Sequence, residues 1–138
     1  MSAISKAELE SIFRNIFNGG AMDRLPKGRR NADAFLALAA ASLDSQEVFT
    51  EAELNARLSD WMASFTNPRQ LDHVTVRRYL VDLSMLLRDP EGKSYRTNQT
   101  VISRQIAPDA RTVQPKEIFD QIQAARQLRR RQRADQVS

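Results

Sequence analysis

Between residues 30 and 97 three apolar helical faces and one hairpin pattern follow each other with short breaks, and that order limits the folds open to the chain. Ala32, Phe35, Leu36, Ala39 and Leu43 repeat at helical spacing and mark a first, alanine-rich helix over residues 30–43. Glu47-Val48-Phe49 then suits a single short strand. Thr50 and Glu53 have capping-box spacing, and Leu54, Leu58, Trp61, Met62 and Phe65 continue one face until Asn67-Pro68 breaks it. Asp72 can cap a third helix that runs to Leu86, with Val76, Leu80 and Leu83 inward. Leu87-Arg88-Asp89, Pro90-Glu91-Gly92-Lys93 and Ser94-Tyr95-Arg96 read as strand, turn, strand. Helix, strand, helix, turn, helix, hairpin is the order of a winged helix-turn-helix. The expected fold class is mainly α, with a small β-hairpin wing and appended terminal helices.

Three regions follow: an amphipathic helix within 1–23, a winged-helix-like domain over 24–97, and a linker with a basic helix or tail over 98–138. In the first, Ser5 and Glu8 offer a capping box, Leu9, Ile12, Phe13, Ile16 and Phe17 form the stripe, and Asn18-Gly19-Gly20 stops it. Residues 97–114 read as polar and irregular, tacked down by Val101, Ile102 and Ile106. Pro115 opens a last helix, where its missing N–H costs nothing, and Ile118, Phe119, Ile122 and Ala125 give it a short apolar face. Beyond Arg126 the pattern dissolves, and a frayed end is expected.

With 138 residues the chain suits one compact domain with appendages, and with no Cys it has no disulfide, thiolate nucleophile or Cys-ligated metal. That composition fits a reducing cytoplasm, and no apolar run approaches a signal peptide core or a membrane span. The net charge of +4 is unevenly placed. Residues 115–138 hold six cations against three anions, whereas the preceding 114 residues hold fifteen against fourteen, so the body is near neutral and the tail basic. Arg outnumbers Lys by 17 to 4, which favours partners that present phosphates, guanines or carboxylates to a planar fork.

Arg24-Leu25-Pro26-Lys27, Phe49-Thr50-Glu51-Ala52-Glu53-Leu54-Asn55 and Val74-Thr75-Val76-Arg77-Arg78-Tyr79-Leu80-Val81-Asp82, followed by Leu86, Arg88 and Tyr95-Arg96, carry a resemblance. The stretch from Arg24 to Arg96 resembles a bacterial family of uncharacterised domains, some members of which are fused to or described as transcriptional regulators. The resemblance implies a winged-helix-like fold and no chemistry. Ser84 stands where that family usually has Gly, which implies a helix running slightly further here. Separately, TVRRYLVDLSMLLRD is similar in layout to the recognition helix and wing of many small bacterial repressors.

On the third helix, His73, Thr75, Arg77 and Arg78 are expected outward, where a reader helix meets base edges and phosphates. Arg77 or Arg78 can equally pair with Asp82 or with a carboxylate on a neighbouring helix. Lys93 and Arg96 belong to the wing, beside Arg88, but Asp89 and Glu91 offset their field, so a solvated hairpin is the alternative. Arg24 and Lys27, with Arg29 and Arg30, precede the alanine-rich helix, where an anion can sit or where the entry is merely solvated. Arg129, Arg130 and Arg131, with Arg126 and Arg133, form the densest positive feature; such a run grips any polyanion or only solubilises.

Catalysis finds no support. His73 is the only His, so it makes neither a zinc site nor a nucleophile-activating set. Gly19-Gly20 lacks a phosphate-binding frame, and no P-loop is present. The expectation is a protein that is not an enzyme and needs no cofactor or metal. Trp61 and Phe65 read as core. The first functional reading is a DNA-binding transcriptional regulator, DNA ahead of RNA, with the terminal helices as homodimerisation elements. The second is a non-catalytic protein-interaction module whose winged helix is a scaffold and whose terminal helices dock a protein partner.

Overall fold

The computed structural model describes residues 2–137; Met1 and Ser138, the outer ends of the two expected terminal regions, lie outside it. Helices α1 (Lys6–Phe17) and α3 (Glu51–Met62) start where their capping boxes predict. Glu8 donates its N–H to Ser5 Oγ at 3.2 Å and its carboxylate accepts from Ser5 N at 3.4 Å. Thr50 and Glu53 repeat the exchange at 3.1 and 3.3 Å. Each cap satisfies first-turn donors and contributes about 1 kcal/mol.

Helix α2 (Arg29–Ala41) is buried along its whole second half, from Ala34 to Ala40. It packs against α4 (His73–Asp82) on one side and α5 (Gln99–Gln105) on the other, with α1 beside them. Its alanines let three neighbours approach closely, which a helix with one apolar stripe would not need. Strands β1 (Leu86–Arg88) and β2 (Tyr95–Thr97) pair antiparallel, Leu87 opposite Arg96, one residue off the expected bounds at each strand. Of the strand expected at 47–49, only Phe49 pairs, exchanging two 2.8 Å hydrogen bonds with Tyr95. Tyr95 is thus paired on both sides, in register with Arg88 and hydrogen-bonded to Phe49, and the segment before α3 is tied to the wing.

Three expectations need correction. Helix α4 ends at Asp82, not near Leu86. Ser84 takes φ 61°, its N–H reaches the Val81 carbonyl at 3.0 Å, and Met85 N–H reaches the Leu80 carbonyl at 2.9 Å. This is a Schellman closure with Ser in the left-handed position that usually holds Gly. It turns Met85 and Leu86 into the core, while Leu83 is only half-buried. Residues 97–114 are not irregular: α5 and a 3₁₀ turn, Pro108–Thr112, occupy them. Ile102 and Ile106 are fully buried there, and the chain start is laid alongside, Ile4 N to Gln105 O at 2.9 Å and Ala107 N to Ile4 O at 2.8 Å. The end does not fray past Arg126, since α6 runs from Pro115 to Val137. Its Gln, Ala, Arg and Leu residues are good helix formers, with no Gly or Pro to stop them.

One core draws on all three expected regions, from Ile4 and Phe13 through Phe35, Leu58 and Leu80 to Ile106 and Ile118. Rings lock the terminal helices onto it. Phe13 stacks on Phe17 at 5.7 Å, Phe17 meets Phe119 of α6 edge-on at 5.2 Å, and Phe65 meets Trp61 at 5.0 Å. Such pairs add about 0.5–1.5 kcal/mol each beyond burial. Leu9, Phe13 and Phe17 of α1 and Ile118 of α6 are therefore covered within the chain, while Ile12 and Ile16 stay half-buried.

Candidate nucleic-acid interface

Asp72 starts α4: its Oδ1 accepts the Thr75 backbone N–H at 2.8 Å. That N–H, and secondly the Thr75 hydroxyl, hold the Asp72 carboxyl below the usual carboxylate range. Its negative charge thus complements the helix N-terminus. Val76 and Leu80 are buried, which turns the opposite face outward. That face consists of Thr75, Arg78, Tyr79 and Asp82, spaced i, i+3, i+4 and i+7.

His73 and Arg77 fall on the flank instead, and both are half-buried. Arg77 turns back onto α3: its guanidinium donates to Asn55 Oδ1 and lies 3.2 Å from the Glu51 carboxylate. Only 16% of its side chain is exposed. Of the two arginines expected to face a ligand, Arg77 is therefore engaged inside the domain. Arg78 is exposed and has no hydrogen bond or ion pair among the described residues. Tyr79, assigned to neither face from sequence, is 45% exposed. Its place four residues after Thr75 was the available signal.

The wing is a closed turn. Asp89 accepts from Lys93 N at 2.6 Å and from Ser94 N at 3.2 Å, and its backbone carbonyl from Gly92 N at 2.9 Å. Desolvation raises the Asp89 pKa, but the N–H groups of Ser94, Lys93 and Gly92 together outweigh it and hold the carboxyl low. Gly92 has φ +72° and the Arg88 guanidinium lies against it, which leaves no room for a Cβ unless Arg88 moves. Arg88 also covers the Tyr95 ring, 5.9 Å from its centroid. Lys93 is exposed at the tip but pairs with Glu91 at 3.3 Å. Arg96 is exposed on β2 between buried Tyr95 and Thr97. Arg77, Arg78, Asp82 and Arg88 border one small hollow of about 300 Å³ between α3, α4 and the wing.

Residues 21–97 match the family described as an uncharacterized protein conserved in bacteria, DUF2087. The match covers more than half of the chain and runs from the loop before α2 to the end of the wing. The chain belongs to the DUF2087 family. No curated protein and no solved structure matched it. The DUF2087 segment contains the outward face of α4, the wing, Arg24 and Lys27; α1, α5 and α6 flank it.

Arg24 and Lys27 are exposed on the loop before α2. That loop is pinned to the turn between α3 and α4, Met22 N to Phe65 O at 2.9 Å and Asn67 N to Met22 O at 2.8 Å. The two cations border an open hollow with Ile12, Ile16 and Leu25 and share none with α4. Arg69, exposed on the turn that leads into α4, is a further cation that the sequence did not single out. Arg129, Arg130 and Arg131 are exposed on the outer half of α6. Among the described residues no three His, Cys, Asp or Glu side chains converge as metal ligands, and no helix is long and apolar enough to cross a membrane.

Proposed function

We propose that this chain is a DNA-binding winged-helix protein of the regulator type, in which α4 enters a major groove and the wing flanks it. The observation that carries this is the outward face of α4: Thr75, Arg78 and Tyr79 stand exposed on a short helix whose inner face and N-cap are fully committed. Arg78 supplies a fork for guanine or phosphate, Thr75 a hydroxyl near the helix start, and Tyr79 a flat contact for a thymine methyl or sugar. Arg96, Lys93, Arg24 and Lys27 would add phosphate contacts that position without specifying. The role is non-catalytic, since these groups lie on an open helix face rather than in an enclosed cleft.

Asp82 on the same face, and the near neutrality of a wing in which Lys93 pairs with Glu91, favour a second reading as a protein-interaction module. Selection of binding sites from a random duplex pool by the full chain separates the two. A DNA reader enriches a motif, as an inverted repeat for a dimer or a single site for a monomer. Arg78→Ala then loses about tenfold or more on that motif, the weight of a base contact of about 1–3 kcal/mol. No enriched motif at low salt sinks the DNA reading and leaves the interaction module.

A further inference from the structure

We infer that the outer half of α6, residues 124–137, is a preformed arginine arm that lies along the phosphates of duplex DNA. Four observations place it. Ile118 is buried and Phe119 and Ile122 pack on the core, which fixes the first half of the helix. Arg126 then donates to the Asn18 carbonyl at the end of α1, a cation on a helix C-terminus. Beyond it, residues 127–136 are all exposed, so the helix leaves the body as a rod. Residues 124–137 carry five Arg against one acid, Asp135.

Helical geometry decides what the rod presents. Arg129 and Arg133 continue the face of Ile118, Ile122 and Arg126, and with Arg126 held on Asn18 the rod presents Arg129, Arg130, Arg131 and Arg133. They span about 6 Å along the axis. A duplex shows about one negative charge per 1.7 Å of its axis with both strands counted, so its phosphates are spaced closely enough to meet these cations.

The same rod fits other occupants poorly. Leu128, 56% exposed, is the only large apolar side chain between Ala124 and Gln136. A membrane surface needs an apolar face to bury, and a coiled coil with a second copy needs apolar residues every 3.5 positions. An apolar groove that takes a helix needs several apolar anchors along one face, and the arm has one Leu. Phosphates ask for none of these. Like charges lie at i, i+4, Arg126 with Arg130 and Arg129 with Arg133, and repel each other at a cost to the helix. A polyanion removes that cost.

The inference rests on the α4 proposal only for the choice of polyanion, and the two fail separately. The experiment uses the full chain and a full-length variant with Arg129, Arg130, Arg131 and Arg133 all changed to Gln. Gln has similar helix propensity, and circular dichroism checks that the variant keeps its helix content. Both proteins are titrated with a random-sequence duplex over about 50 to 200 mM salt. The arm predicts that the variant binds more weakly on every sequence and that its log–log salt slope falls by about 2 or more, near 0.9 for each phosphate that is no longer neutralised. An unchanged slope, or no binding by the unaltered chain at the lowest salt, overturns the arm; the first result with acidic polypeptide captured in place of DNA assigns the arginines to a protein. If the arm variant loses affinity while Arg78→Ala changes nothing, the arm stands and the α4 proposal falls.

Discussion

Arg77 reaches from the middle of α4 to Glu51 in the first turn of α3, nitrogen to oxygen 3.2 Å, and donates to Asn55 one turn later. Its neighbour Arg78 has no such partner among the described residues and points to solvent. Two adjacent arginines therefore differ in role within the fold: Arg77 is engaged and Arg78 is not. Arg77→Ala leaves half-buried Asn55 Oδ1 without its donor, while exposed Glu51 is rehydrated, and is expected to cost about 1–3 kcal/mol, the range for removing one partner of a hydrogen bond. Arg78→Ala is expected to stay within about 0.5 kcal/mol of the parent. Urea unfolding of both variants checks this; equal losses would mean that Arg78 also holds the fold.

Ser84 makes a separate stability prediction. A non-glycine residue in the left-handed region costs about 1–2 kcal/mol, partly offset because glycine loses more freedom on folding. Ser84 holds φ 61° so that Met85 can close the α4 end. Ser84→Gly is expected to stabilise by roughly 0.5–1 kcal/mol, and Ser84→Val to destabilise by more than that. Thermal unfolding decides; a destabilised Gly variant would mean that the Ser hydroxyl, not the backbone, matters there.

The elements read correctly from sequence are those set by local chemistry. Ser5 with Glu8 and Thr50 with Glu53 lie three residues apart, so both caps are visible without any tertiary knowledge. The winged-helix order was legible for the same reason. Helix α5 was not, because its seven residues are mostly polar and it is held by long-range contacts, Ile102 in the core beside α2 and Ile106 just beyond it pairing with Ile4, a hundred residues earlier. Thr75 and Arg78 were legible on the helical wheel. The partner of Arg77 was open from sequence, since Asn55 and Glu51 lie on another helix. Tyr79 was passed over because only the polar and basic residues of the helix were weighed as outward.

The covered face of α6 predicts where the chain tolerates shortening. Ending the chain after Gln114 removes buried Ile118, the Phe119 ring on Phe17, and Ile122. At about 1.5–3 kcal/mol per fully buried side chain, the loss is several kcal/mol, a large part of a small domain's stability. Ending it after Ala125 keeps these side chains in place and loses the Arg126 link to Asn18, about 0.3–1 kcal/mol. Chemical denaturation should show a cooperative transition for the chain ending at Ala125 and a strongly weakened one for the chain ending at Gln114. Equal behaviour would mean that α6 adds nothing to the core.

Acid should loosen the fold through its caps. The Arg30 hydrogen bond first, then the Ser5 backbone N–H, holds Glu8 below its ordinary pKa, and Asp72 and Asp89 are held low by the N–H groups they accept. Each carboxyl therefore releases its proton more readily in the folded chain than in the unfolded one. Their stabilisation is complete above the unfolded values of about 4, falls as pH drops through that point, and is gone below the folded values. Asp72→Asn keeps an oxygen that can cap α4 but removes one titrating group. The variant is expected to lie close to the parent near neutral pH if the cap is preserved, and to lose less stability than the parent on going to acid. Urea midpoints at neutral and acid pH for both proteins measure the difference; parallel losses would show that the Asp72 charge contributes nothing to the start of α4.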